Sequence, residues 1–168
     1  WRDNNSGCKG VCNRIETENM ENLQDKGFCI DTGCYDEILL QGLQSYADNL
    51  ETDAFIVLHQ KGSHGPAFYR RYPESFKKFT PVCESSQLDK CPRQDIVNAY
   101  DNSILYTDFF LSRVIDFLKT NSDTFYTAMI YVSDHGESLG ENNIYLHGLP
   151  YIIAPDEQKH IPFILWFS

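Results

Sequence analysis

Apolar residues follow two different rhythms along the chain. Between positions 36 and 50, Ile38, Leu39, Leu40, Leu43, Tyr46, Ala47 and Leu50 recur at helical steps, which predicts a helix. The same rhythm runs further from Gln94 to Thr120. Ile96, Val97, Tyr100, Ile104, Leu105, Phe109, Leu111, Val114, Ile115 and Leu118 there predict one long helix. Residues 54–59 and 125–132 are short apolar runs instead, and predict strands buried on both faces. A last strand is expected at 161–167. Residues 1–36 are polar and rich in Gly and Asn, and read as loops. Residues 69–91 hold Pro, Lys and aromatic side chains without a clear period, and no internal repeat is visible.

Strand, long helix, strand predicts a βαβ unit, a parallel sheet and an α/β fold. In open α/β sheets, ligands bind beyond the carboxyl ends of the strands. His64 follows the first predicted strand, and Asp134 and His135 follow the second. His147 lies in a further turn that can return to the same place. Asp and His are both zinc ligands, and Gly136 lets the chain bend beside them. A lone histidine is more often a surface or core residue than a ligand. Here, however, three of the five histidines stand beside glycine in loops: His64-Gly65, His135-Gly136 and His147-Gly148. His59 reads as a core residue within a strand and His160 as a surface one.

With 168 residues, 42% hydrophobic and 23% charged, the chain suits a single domain and excludes a wholly disordered one. No apolar run approaches the roughly 18 residues of a membrane span, and nothing resembles a signal peptide. A net charge of −10 argues against a nucleic-acid partner. It leaves room for a local anion pocket, because a bound metal outweighs distant carboxylates. Six cysteines fall in three close pairs, Cys8 with Cys12, Cys29 with Cys34 and Cys83 with Cys91, and none has C-x-x-C spacing. Three local disulfides in an extracytoplasmic space are the natural reading, although six cysteines allow 15 pairings.

The string Tyr131-Val132-Ser133-Asp134-His135-Gly136-Glu137-Ser138-Leu139-Gly140-Glu141-Asn142 is far more specific than the Asp-His pair inside it. It resembles the alkaline-phosphatase/sulfatase superfamily, and within it the phosphoethanolamine transferases that modify lipid A, including the mobile colistin-resistance enzymes. Trp1-Arg2-Asp3-Asn4-Asn5-Ser6-Gly7, His59-Gln60-Lys61-Gly62-Ser63-His64-Gly65-Pro66-Ala67, Phe79-Thr80-Pro81-Val82-Cys83 and Asn98-Ala99-Tyr100-Asp101-Asn102 agree with the same family. The three Cys pairs fit its disulfide pattern.

The resemblance implies part of an alkaline-phosphatase-like sandwich, with a mainly parallel central sheet flanked by helices. It implies transfer of phosphoethanolamine from phosphatidylethanolamine to a threonine and then to a lipid A phosphate, on the periplasmic face of the inner membrane. Asp134 and His135 match ligands of the catalytic zinc. His64 and His147 match histidines that hold the phosphoryl group or a second zinc, and Asn5 and Lys9 match contacts to phosphoethanolamine. A monomer is expected, with membrane domain, nucleophilic threonine and glutamate ligand N-terminal to residues 1–168 and further sheet elements beyond them. On this expectation the 168 residues are part of a periplasmic catalytic domain, inactive alone. Two other readings stay open: another member of the superfamily (a phosphoglycerol transferase, sulfatase or phosphatase), or a disulfide-stapled extracellular binding module without catalysis.

Overall fold

The computed structural model describes residues 1–8, 10 and 13–168. Contacts divide the chain into two units, Trp1–Gly62 and Ser63–Ser168. In the first, β1 (Arg2–Asp3), β2 (Glu18–Asn19), β3 (Cys29–Ile30), β4 (Gly33–Cys34), α1 (Leu43–Ala47) and β5 (Leu58–His59) follow one another. Strand β1 is the centre of a parallel sheet ordered β2-β1-β5, so the segment expected to be all loop supplies the middle strand. Strands of two residues are too short for a hydrophobic period to reveal them. The helix expected over 36–50 is broken. A 3-10 turn, Asp36–Leu40, is followed by α1, with Gly42 between them at φ +70°. Phe55 is 88% exposed, so the run at 54–59 is not a buried strand, and only Leu58 and His59 pair.

The consecutive residues Arg2, Asp3 and Asn4 hold this unit together, each reaching a different segment. The Arg2 guanidinium donates to the carbonyls of Leu39 and Gln41, closing the end of the 3-10 turn. Asn4, fully buried, donates through Nδ2 to the Cys34 carbonyl (3.0 Å) and to Asp36 (2.8 Å). The Asp36 carboxylate also accepts from Lys61 N (2.9 Å) and Gly62 N (2.8 Å). Burial raises Asp36 above the usual carboxylate range, and these donors only partly offset it.

The second unit holds α2 (Arg93–Thr120), β6 (Ala128–Val132), β7 (Ser138–Leu139), β8 (Tyr145–Leu146), α3 (Asp156–Lys159) and β9 (Phe163–Phe167). The long helix matches its sequence pattern. Ile96 and Ala99 on it are buried with Phe68, Cys83 and Leu88 in one hydrophobic cluster. Polar side chains on the same helix tie down the aperiodic segment. Asn102 Oδ1 accepts from Lys78 N and Phe79 N, and its Nδ2 donates to the Phe79 carbonyl. Asn98 donates to the Pro81 carbonyl at 2.7 Å.

Strand β6 pairs antiparallel with β9, Ala128 opposite Phe167 and Val132 opposite Phe163. The partner inferred from strand–helix–strand order is therefore corrected: the parallel ladder is β2-β1-β5. Of β6 only Met129 is buried, and β9 is largely exposed. A strand-length apolar run signals pairing, whereas burial depends on what packs over it.

Two disulfides are present as expected, Cys29–Cys34 across the β3–β4 hairpin and Cys83–Cys91. The third expected bridge joins Cys8 to Cys12. Cys12 lies outside the described residues, so the structure does not bear on that pairing. Lys9, expected to contact phosphoethanolamine, lies outside them too.

Candidate functional site

The antiparallel register of β7 and β8 builds the centre of the site. Ser138 faces Leu146 and Leu139 faces Tyr145, so the next residues outward, Glu137 and His147, are brought opposite each other. Their side chains meet, Glu137 Oε1 accepting from His147 Nδ1 at 2.7 Å. Leu146 at φ +63° and Gly148 at φ +106° turn the chain on either side of His147.

His135 reaches the same place from the end of β6. Ser133 Oγ donates to the His135 carbonyl at 2.7 Å, and Gly136 N donates to the Gln158 carbonyl at 3.0 Å. Gly136 is required for a different reason from the bend expected of it. A Cβ there would run into the Glu157 carbonyl oxygen, so close backbone approach demands glycine. His64 is held from a third direction. Ser63 Oγ pairs with Ser103 Oγ of α2 at 2.8 Å, and Arg71 Nε donates to the His64 carbonyl at 2.6 Å. Gly65 packs so tightly on Leu146 that a Cβ would come within 2.5 Å of its Cδ2.

The three imidazoles expected from the sequence are thus gathered. The His135 and His147 rings stack with centroids 3.5 Å apart, and His64 meets His147 edge-on at 5.7 Å. Each Nδ1 faces an acceptor: Gly65 O for His64 (2.7 Å), Gly136 O for His135 (2.9 Å) and Glu137 for His147. An acceptor at Nδ1 holds the ring proton there and leaves Nε2 with a lone pair, the form in which histidine binds a metal.

Ligand atoms of His135, Glu137 and His147 all lie within 4.8 Å of one another. The Glu137 residue is only 8% exposed, and its Oε2 is buried without a partner, a costly state for a carboxylate oxygen unless a cation or donor meets it. Two nitrogens and a carboxylate suit a zinc-type ion, so these residues fit one. Asp134 stands apart. Its side chain is 91% exposed, with Oδ1 3.7 Å from His135 Nε2. Burial pushes the Tyr100 hydroxyl up to about 12, helped by the negative charge of Glu137.

Glu137 is the residue that sequence reasoning passed over. The available signal was its position two residues beyond His135, because alternate residues of an extended chain share a side. Ser133 directly follows β6, whereas Ser138 lies in β7, is fully buried and accepts from Gln158 Nε2 at 2.9 Å. Asn5 lies in the turn that follows β1 in the first unit. His59 is half-buried rather than a core residue, and its Nδ1 is bonded to Asp3.

A strand-end histidine cluster beside a buried carboxylate, on an α/β frame, is an arrangement able to hold a divalent metal ion. The sulfatase family model matches residues 1–168, and the chain belongs to that family. It is 52% identical over 168 residues to phosphoethanolamine transferase EptA of Salmonella typhimurium, covering 100% of this chain and 31% of that protein. It is 46% identical over 174 residues to phosphatidylethanolamine transferase Mcr-1 of Escherichia coli, covering 99% of this chain and 32% of that protein. The soluble domain of lipooligosaccharide phosphoethanolamine transferase A from Neisseria meningitidis superposes with a TM-score of 0.94 at 46% identity. That match covers 100% of this chain and 50% of the solved one. The chain thus spans about a third of the length of the relatives it matches. Among the described residues, no helix is long and apolar enough to cross a membrane.

Proposed function

We propose that these residues form part of the catalytic domain of a zinc-dependent phosphoethanolamine transferase. The domain acts on the periplasmic side of the inner membrane, taking phosphoethanolamine from phosphatidylethanolamine and passing it to a lipid A phosphate. The observation that carries this reading is the convergence of His64, His135 and His147, each with Nδ1 held and Nε2 open, around the buried Glu137. Similarity to EptA and Mcr-1 supports the choice of transferred group.

His135 and Asp134 are proposed as ligands of the catalytic ion. A zinc ion bound there supplies Lewis-acid chemistry, polarising a phosphoryl oxygen and favouring the alkoxide of an attacking hydroxyl. His64 and His147 are proposed to hold the phosphoryl oxygens, or a second ion, and to offset charge that builds on the transferring group. Glu137 fixes the His147 ring so that Nε2 is presented in one orientation. Asn5 and Lys9 are proposed as contacts to the phosphoethanolamine. A Cys8–Cys12 bridge is proposed to close the loop that carries Lys9. The attacking group is a threonine hydroxyl, which carries the phosphoethanolamine between donor and acceptor. Aminated lipid A phosphates carry less net negative charge and bind cationic polymyxins more weakly, which gives colistin resistance. The acidity of the chain does not oppose an anionic substrate, since histidines and metal set the local charge.

The test is mass spectrometry of lipid A from cells expressing the intact protein. Phosphoethanolamine should be added by the unaltered protein and absent with His135→Ala. Unmodified lipid A in both strains, with the protein present, rejects the assignment of substrate.

A further inference from the structure

Gln158 is the one buried residue of α3, 7% exposed, and it is polar. A buried amide needs hydrogen-bond partners, and two of those it finds flank Glu137. Its backbone carbonyl accepts from Gly136 N at 3.0 Å, and its Nε2 donates to Ser138 Oγ at 2.9 Å. Glu137, between the two, accepts from His147 Nδ1 at 2.7 Å. The chain from His147 to Gln158 thus leaves Glu137 at one end and returns to it at the other. Ile153 N and Ala154 N both donate to the Pro150 carbonyl, and Gln158 N donates to that of Pro155, so the return path is a series of fixed turns.

Stability alone does not account for the Gln158 side chain. Its Oε1 is buried without a partner among the described residues, and an amide that satisfies one end while orphaning the other adds little net stability. The contact supplies direction instead. Neighbouring residues of an extended chain face opposite sides. Holding Gly136 and Ser138 from one side turns the carboxylate between them to the other, where His147 meets it.

We infer that Gln158 is a positioning residue for the proposed reaction: its amide holds Ser138 and sets the direction in which Glu137 presents its carboxylate to His147. The inference rests on the proposed function for what the Glu137–His147 pair serves. No covalent step is involved.

Gln158→Ala tests it in the intact protein. The variant loses the amide but keeps the carbonyl that holds Gly136, so the turn retains one of its two ties. Nitrogen-15 NMR of the histidine rings reads the His147 Nδ1–H resonance, assigned by its absence from His147→Gln. That resonance should shift in Gln158→Ala. The kcat for transfer should fall roughly two- to tenfold, the range for one neutral hydrogen bond, with KM for phosphatidylethanolamine unchanged. Ser138→Ala removes the same bond from its other end and should give the same two effects, and the double variant should do no more than either. An unmoved resonance or an unaltered kcat, whatever the change in Tm, overturns the inference, and so do additive losses in the double variant. Should Gln158→Ala not fold, Ser138→Ala with an unmoved resonance overturns it alone. Absence of transfer by the unaltered protein would instead reject the proposed function, while the resonance still reads the hold on His147.

Discussion

His147 and Glu137, ten residues apart in sequence, are hydrogen-bonded at 2.7 Å because the β7–β8 register leaves them facing each other just beyond the last paired residues. The carboxylate that orients His147 also stands 3.8 Å from His135 Nδ1, beyond hydrogen-bond reach, so it bonds one imidazole and places its charge beside a second.

Replacing it tests that role. Glu137→Gln keeps the size but removes the charge, and partners of this kind typically change metal affinity or activity by about 10- to 100-fold. Zinc titration of the variant should show a loss in that range, together with reduced transfer to lipid A. Affinity equal to the unaltered protein would mean that Glu137 serves the fold alone.

Gly136→Ala places a Cβ against a backbone carbonyl, that of Glu157, which cannot move by itself. The loop carrying Asp134 and His135 must shift. We expect destabilisation of about 3 kcal/mol, the upper end for overpacking, together with weaker zinc binding. Thermal unfolding and zinc titration read the two effects separately, and an unchanged Tm would contradict the close approach.

Glu141 accepts from Arg93 at 2.7 Å and from Leu139 N at 2.6 Å. Burial alone would raise its carboxyl, but its own backbone N–H, Arg93 and Leu139 together bring it below the usual carboxylate range. A lowered folded value means stability that is present above the unfolded pKa of about 4.3 and lost as pH falls through the folded one. Urea midpoints should therefore separate the unaltered protein from Glu141→Gln near neutrality and converge in acid. A gap that persists at low pH would exclude this linkage.

Asp36 has the opposite sign. Its folded value is raised, so the folded state holds the proton longer, and stability falls as pH rises from the ordinary carboxylate range through that value. Asp36→Asn should remove this slope. It also sets an amide N–H against one of three donors, at a loss of about 1–3 kcal/mol. Amide exchange at Lys61 and Gly62 should then accelerate, and unchanged exchange there would show that the carboxylate does not hold these N–H groups.

The long helix was legible because 28 residues repeat one spacing many times over. The resemblance carried by residues 131–142 was legible because so long a string does not arise from periodicity. Strand β1 was not, since two residues hold no period, and neither was the break at Gly42, where helical spacing continues across a left-handed residue. The exposure of β6 and β9 was hidden for another reason: apolar composition records what a strand is able to bury, not what covers it.

Sequence by itself pointed to the family, the histidines worth watching, three close Cys pairs, two of which the structure joins as Cys29–Cys34 and Cys83–Cys91, and the helix behind the site. Only tertiary structure decided which groups meet. Glu137 became the partner of His147 through a register of backbone hydrogen bonds, and Asp3 the partner of His59 through a parallel pairing 56 residues apart. Such contacts depend on which strands lie side by side, and no local pattern of hydrophobic and polar residues encodes that choice.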